Sequence, residues 1–260
     1  WAAFKAVLIA YAGNNVFPRA GEFARVVALR RAHPMPIGAV VGSVIVERLL
    51  DMFTLLIFFA VVMVYAREKI TMAFPGLESV GAFTMVVLLI VFALLVLLSF
   101  YGNRGINKLE TLTSRISPSL AQKVSGLLRT FLQGLAGVKT LRDCLGILLT
   151  TLLTNLCYVL SIYLPFYSFG FIENYDLKLF DALVVMVLAS VGVVIPTPGG
   201  TGTYHFFCSK TLHIFYNIPE VQALAFATAV HGAAFLAFVL FGGPSLFRLL
   251  WTQKKEAQDI

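Results

Sequence analysis

Long apolar runs divide the chain at regular intervals. Residues 81–100 and 144–169 carry no charge, and each run reaches the roughly 20 residues that a helix needs to cross a bilayer. Residues 37–66 and 221–250 are similarly apolar, with isolated ionisable residues inside them. The pattern predicts an all-α polytopic membrane protein in which these four runs span the bilayer.

Two further apolar stretches, residues 4–31 and 181–216, are interrupted in the middle by NNVFPRAGE and PTPGGTGTYH. The pieces beside each break hold about 10 to 15 residues, or roughly 15–22 Å of helix, which is too short to span a bilayer. Backbone that leaves a helix inside a bilayer must be buried in protein or line a wet cavity. We therefore predict two re-entrant hairpins. A kink in a continuous helix that binds no ligand is the alternative.

The two interrupted stretches also resemble each other. FPRAG corresponds to IPTPG, and each is followed by a short helix, a proline-bearing turn (HPMPIG or NIPEVQ) and a long apolar helix. This similarity predicts two repeats, at about residues 4–66 and 181–250, within one transmembrane domain that covers residues 1–260. Because the chain begins at Trp1 in an apolar context, we expect an upstream pair of helices to be missing.

Charge predicts the orientation of these elements. Seven Lys and Arg residues lie between Arg104 and Arg142, so residues 101–143 are expected to form a cytoplasmic connector, and their apolar residues have the spacing of an amphipathic helix. The C-terminus is expected on the same side. The first hairpin then enters from the cytoplasm and the second from outside, an inverted repeat typical of secondary transporters.

Overall composition agrees with a membrane location. Hydrophobic residues make up 59% of the chain and charged residues 13%. The net charge of +7 comes from basic residues between the apolar runs. This placement is explained by membrane topology and does not indicate nucleic-acid binding. Cys144, Cys157 and Cys208 lie in apolar segments, so we expect buried hydrophobic residues and no disulfide, metal site or cofactor.

The second break has the residue types of an anion site. Pro196 and Pro198 stop the incoming helix, and the glycines permit positive φ and close backbone approach. Thr201 or Thr203 is expected to cap the outgoing helix, whose positive amide end can hold an anion. In the first break, Asn14 and Asn15 can satisfy freed backbone groups, Gly21 turns the chain and Glu22 lies near a helix N-terminus.

Ionisable residues within the apolar helices are the other candidates. Glu47 lies at mid-depth of the run 37–66, and Arg48 and Asp51 are spaced to pair along one face. An ion pair that only locks helix packing is the alternative. His231 lies at the corresponding depth of the last helix. The predicted substrate-binding residues are Asn14, Asn15, Arg19, Gly21, Glu22, Arg25, Glu47, Arg48, Asp51, Gly199, Gly200, Thr201, Gly202, Tyr204, His205 and His231.

NNVFPRAGEFARV, VERLLD and the later P-x-P-G-G-x-G-x-Y together resemble the flippase-like transmembrane domain of the lysylphosphatidylglycerol synthase (multiple peptide resistance factor) family. The resemblance implies movement of an anionic phospholipid or lipid-linked headgroup between leaflets of the cell membrane. It also implies roles for the residues that match these motifs. His205 stands where many relatives have Glu, and His231 where many have Arg.

We expect lipid translocation without enzymatic activity, since no aminoacyl-transferase domain is recognisable in these residues. A membrane-embedded transferase, or an accessory subunit in glycolipid or polyprenyl-sugar synthesis, is the alternative function. A homodimer, or association with a lipid-modifying enzyme, is left open.

Overall fold

The computed structural model describes residues 1–258 except 18, 34, 116 and 136–139. The regular structure in these residues is helical. The helices are α1 (Ala2–Val16), α2 (Ala20–Ala32), α3 (Ile37–Ala73), α4 (Leu77–Ser114), α5 (Pro118–Leu135), α6 (Leu141–Ser168), α7 (Phe171–Tyr175), α8 (Leu179–Val194), α9 (Thr203–Tyr216) and α10 (Glu220–Gln258), with a 3-10 turn at Pro198–Gly200.

Four of these helices are long and apolar enough to cross a membrane: Ile37–Ala73, Leu77–Leu94, Leu141–Ser168 and Glu220–Trp251. They coincide with the four predicted spans, and the protein is a membrane protein. Two of the helices contain local breaks. α3 has non-helical backbone at Ala66, where the predicted span ended, and α4 has it at Gly102.

Both predicted interruptions are also present. α1 ends at Val16 and α2 begins at Ala20, while α8 ends at Val194 and α9 begins at Thr203. A long apolar helix follows each pair, α3 in the first case and α10 in the second. The prediction that neither stretch is one continuous helix is confirmed.

The chain forms two compact units. The first contains Trp1–His33, Phe58–Pro75 and Thr150–Ile260. Within it α8 packs on α9, α9 on α10, α10 on α1, and α1 on α2. Residues 184–189 of α8 are all buried, which explains why this helix is apolar on every face. Phe166 and Phe171 close the core by packing against Phe226, with ring centroids 5.3 and 5.4 Å from it.

The second unit contains Pro34–Ile57 and Gly76–Leu149. Here α4 packs on α5, the helix predicted from the amphipathic pattern of the connector. Arg129 of α5 donates hydrogen bonds to Glu110 and Asn107 of α4, at 3.0 and 2.9 Å. The helix itself is confirmed, and its cytoplasmic side stays a prediction.

Candidate functional site

The break between α8 and α9 is built from its prolines and glycines. Pro198–Gly200 forms a single 3-10 turn, and Gly199, Gly200 and Gly202 have φ angles of 58°, 74° and 87°. Residues with a Cβ rarely adopt this left-handed region, so the glycines are required by the backbone path. Gly192 lets the two helices meet, because a Cβ there would lie 3.0 Å or less from the Thr203–Tyr204 backbone.

Two threonines hold this break in shape. The Thr203 hydroxyl donates to the Gly200 carbonyl at 3.2 Å. Because the Thr203 hydroxyl proton is used in this bond, the Thr197 hydroxyl is the donor in the 3.1 Å contact between the Thr197 and Thr203 side chains. Sequence analysis did not select Thr197, although its place between the two prolines was a signal.

The expectation that Thr201 or Thr203 caps α9 is wrong. The N-cap residue is Gly202, which has no side chain, and Thr201 is exposed. The local hydrogen bond is made by His205 instead, whose Nδ1 accepts from the Gly202 amide at 3.3 Å. Gly202 has a φ of 87°, which glycine adopts easily, and Thr203 is already the first residue of α9, with its hydroxyl turned back to the Gly200 carbonyl.

The break between α1 and α2 is also a close backbone crossing. A Cβ on Gly21 would collide with the Ala10 carbonyl, and the Gly21 amide donates to Asn14 Oδ1 at 2.9 Å. Asn14 therefore satisfies a freed backbone group, as predicted. Arg19, the N-cap of α2, has a φ of 64°, which is uncommon for a residue with a side chain.

The two breaks meet in the first unit. A Cβ on Gly199 would lie 3.1 Å from Asn15 Oδ1, so the end of α1 packs directly on the 3-10 turn. A Cβ on the neighbouring Gly200 would lie 3.9 Å from His231 Cε1 of α10. We call this place, formed by Asn15, Gly199, Gly200 and His231, the junction.

Three rings extend the junction along α9 and α10. The His231 ring lies 4.8 Å from that of Tyr204 at 31°, and 5.0 Å from that of His205 at 66°, both measured between centroids. Tyr204 and His205 are in turn 5.9 Å apart, edge to face. Residues that sequence analysis selected separately on α9 and α10 are thus brought into one cluster.

Buried polar atoms without hydrogen bonds mark the same place. Within the described residues, Asn15 Nδ2 and His231 Nε2 are buried and have no hydrogen-bond partner. The Tyr204 hydroxyl is buried as well, and the Cys208 thiol beside it is a weak hydrogen-bonding group. Buried polar groups in native proteins are nearly always paired, so these atoms indicate a water or a ligand that the site accepts.

The other predicted residues of the first break lie on α2. Arg19 is exposed at its start, while Glu22 in the first turn and Arg25 one turn later are half-buried. Glu22 is therefore near a helix N-terminus, as the sequence predicted.

The charged cluster of α3 belongs to the second unit. Arg48 Nη2 lies 2.6 Å from Glu47 Oε1 and 3.3 Å from Asp51 Oδ2, so the predicted pairing is confirmed. Between 39% and 49% of each side chain is exposed. The predicted site is thus divided: the two breaks and His231 belong to one unit, and the ion-pair cluster to the other.

Lys69 and Lys210 were not selected from the sequence. Lys69 Nζ donates to the Phe215 carbonyl at 2.8 Å, near the end of α9. Lys210 Nζ lies 5.2 Å and 5.5 Å from the ring centroids of Phe206 and Phe74. The signal for Lys210 was a single cation inside the otherwise uncharged run FFCSKTLHIFY.

Comparison with known proteins gives one match. A family model described as the lysylphosphatidylglycerol synthase TM region matches residues 1–242. No curated protein and no solved structure matches the chain. The family match covers both breaks, the ion-pair cluster and His231, and the chain therefore belongs to the family of the lysylphosphatidylglycerol synthase transmembrane region.

Proposed function

We propose that this protein moves an anionic phospholipid or a lipid-linked headgroup between membrane leaflets, and that the junction receives the headgroup. The observation that carries the proposal is a set of buried atoms at the junction and on the adjoining Tyr204 ring. Asn15 Nδ2 and His231 Nε2 make no hydrogen bond among the described residues, and the Tyr204 hydroxyl has a weak partner in the Cys208 thiol. An amide nitrogen and a hydroxyl are donors, and the imidazole nitrogen is one in the appropriate tautomer. Phosphate oxygens are acceptors, so a phosphate-bearing headgroup complements this set.

The start of α9 adds a favourable electrostatic field. The first amides of an α-helix have no partner within the helix, and they give its N-terminus a partial positive charge. In α9 this end begins at Gly202, directly after the break and beside His205. An anion held at the junction would be stabilised by these amides, as phosphates are at other helix N-termini.

In the proposed architecture the two helix pairs are re-entrant hairpins. The pair α1–α2 enters from the cytoplasm and α8–α9 from outside, so that the repeats are inverted about an axis in the membrane plane. Contact between Asn15 and Gly199 supports this arrangement, because hairpins that enter from opposite sides meet at their breaks near mid-depth. The connector 101–143 and the C-terminus are then cytoplasmic, and the membrane is the cell membrane.

Charged residues complete the proposed pathway. Arg19 and Arg25 of α2 interact with the headgroup, while the acyl chains stay in lipid, and a role for the Glu47–Arg48–Asp51 cluster of α3 stays a prediction from the sequence. In this proposal the lipid is moved and not chemically changed, so no catalytic residue or cofactor is assigned. The partner is the membrane lipid itself.

Reconstitution tests the proposal directly. The purified chain is placed in phosphatidylcholine vesicles that carry a trace of fluorescent phosphatidylglycerol in both leaflets, and a membrane-impermeant reductant bleaches the outer leaflet. We expect bleaching to proceed past the outer half of the signal with protein and to stop there without it. Vesicles in which bleaching stops at the outer half, for anionic, zwitterionic and polyprenyl-phosphate probes alike, would contradict lipid movement and favour the transferase or accessory function.

A further inference from the structure

The two faces of α9 differ in chemistry. Its buried face repeats at helical spacing and consists of Tyr204, Cys208, Thr211, Leu212 and Phe215. The opposite face is mixed, because the exposed ring of Phe206 lies on it among polar residues. It carries His205, Ser209 and Lys210, which are half-buried, and His213, which is exposed. We call these four residues the polar stripe of α9.

Large hydrophobic residues are exposed elsewhere in the first unit. On α6 they include Leu152, Leu153, Leu156 and Leu164. Such a face suits contact with acyl chains. Imidazole, hydroxyl and ammonium groups in the same surroundings would be costly, because hydrocarbon offers them no hydrogen bonds. Within the polar stripe, the charge of Lys210 gains most from water or a polar ligand beside it.

The polar stripe connects the junction with the far end of α9. At one end, the His205 ring lies 5.0 Å from that of His231. At the other end, His213 Nδ1 donates to the Ile218 carbonyl at 2.8 Å, just after α9 stops at Tyr216. The spacing from residue 205 to 213 corresponds to about 12 Å along a helix, close to half of the roughly 30 Å hydrocarbon thickness.

The groups on the polar stripe suit a phosphate in transit. Lys210 supplies a positive charge beside the rings of Phe74 and Phe206, where its contacts are cation–π interactions. These contacts are weak enough for an anion to compete with them. The Ser209 hydroxyl donates to the His205 carbonyl at 2.7 Å, so its oxygen can accept from headgroup hydroxyls or ammonium but has no proton left for the phosphate itself.

From these observations we infer that the polar stripe of α9 is the path along which a phosphate-bearing headgroup travels between the junction and one membrane surface, with Lys210 as the residue that attracts it. This inference rests on the proposed lipid movement. It names the route and the charged residue that favours anionic headgroups over zwitterionic ones.

Cysteine labelling tests the route without measuring lipid movement. In vesicles holding a Cys144→Ala/Cys157→Ala chain, buried Cys208 is retained as an internal reference. Ser209→Cys places a thiol on the polar stripe, and Leu152→Cys places one on the lipid-facing surface of α6. A charged, membrane-impermeant thiosulfonate reacts with hydrated thiolates, so we expect position 209 to react at least about tenfold faster than Cys208 or position 152.

Lipid movement tests the role of Lys210. Lys210→Gln should slow the movement of fluorescent phosphatidylglycerol by about tenfold. It should slow the movement of phosphatidylcholine by less, because only phosphatidylglycerol carries a net negative charge. Lys123→Gln, at an exposed lysine of α5, is the matched control and should leave both rates unchanged.

The outcomes separate the two proposals. The path would be overturned if the chain moves lipid but position 209 labels slowly. It would also be overturned if Lys210→Gln and Lys123→Gln move lipid at equal rates. Either result would leave the proposed function standing. A wild-type chain that moves no lipid would overturn both.

Discussion

Asn15, at the end of α1, lies against Gly199 in the break between α8 and α9. A Cβ on Gly199 would be only 3.1 Å from Asn15 Oδ1. The Asn15 amide nitrogen is buried and makes no hydrogen bond among the described residues. Its neighbour Asn14 has a different part, since Asn14 Oδ1 accepts from the Gly21 amide at 2.9 Å. The two asparagines are adjacent, yet Asn14 hydrogen-bonds to the backbone and Asn15 lies where the headgroup is proposed to bind.

This difference predicts opposite results for the two asparagines. Asn14→Leu leaves the buried Gly21 amide without its acceptor and should cost about 1–3 kcal/mol of stability, with a lower melting temperature in detergent. Asn15→Leu removes a buried donor that has no protein partner, so melting should not fall, whereas lipid movement in vesicles should fall by at least about tenfold. An Asn15→Leu chain that moves lipid normally would exclude Asn15 from headgroup binding.

Substitution of Gly200 tests whether the break binds the headgroup or only bends the chain. Gly200→Val places a β-branched residue at a φ of 74° beside His231, which should displace the backbone of the break. We expect lipid movement to fall much more than the melting temperature. Gly146→Val, in an open position on α6, is the control and should change neither.

The result for Gly200 also distinguishes the alternative of a kink without a ligand. If the break matters only for packing, melting temperature and lipid movement should decline together. A Gly200→Val chain with normal melting and wild-type lipid movement would end the proposal that this backbone holds a headgroup.

His231 at the junction and the neighbouring His205 should respond differently to substitution. His231→Phe keeps a ring against Tyr204 but removes the nitrogen, so lipid movement should fall while the melting temperature holds. His205→Ala also removes the acceptor for the Gly202 amide, and it should cost about 0.5–2 kcal/mol in addition, as the loss of a helix cap does. Melting curves and vesicle assays on both variants check this; equal melting losses would contradict the assigned hydrogen bond.

Local sequence predicted the local structure well. Pro196, Pro198 and the following glycines were sufficient to predict the end of α8 and the turn, because their effects on φ and on backbone hydrogen bonding do not depend on distant residues. The spacing of Arg48 and Asp51 predicted their ion pair for the same reason.

Contacts between distant parts of the chain could not be predicted. Nothing in the pattern around Asn15 indicates that it meets Gly199, because this contact depends on how α1 packs against the 3-10 turn. The capping error at Thr201 and Thr203 has a local cause. Three glycines at positive φ precede α9 and its N-cap is Gly202, and a sequence with several candidate caps does not reveal which one the backbone selects.

Labelling from the two sides tests the proposed inverted repeats. Cysteines at Met35, which follows α2, and at Asn217, which follows α9, should react with an impermeant reagent from opposite sides of the membrane, in a chain whose native cysteines are replaced by alanine. Labelling of both positions from the same side would contradict the inverted arrangement, although the two breaks would remain.

The last prediction concerns the ion-pair cluster of α3. It distinguishes a role of the cluster in lipid movement from a role in helix packing. Arg48→Met alone removes the guanidinium that lies 2.6 Å from Glu47 and 3.3 Å from Asp51, and the net negative charge left in an apolar helix should lower the yield of folded protein. The triple change Glu47→Gln, Arg48→Met and Asp51→Asn removes all three charges together, so folding should recover to near the wild-type level. If the cluster contacts the headgroup, the triple variant should still move lipid at least about tenfold more slowly. Yield by size-exclusion chromatography and vesicle assays on both variants decide the matter, and a triple variant that moves lipid at the wild-type rate would assign the cluster to helix packing alone.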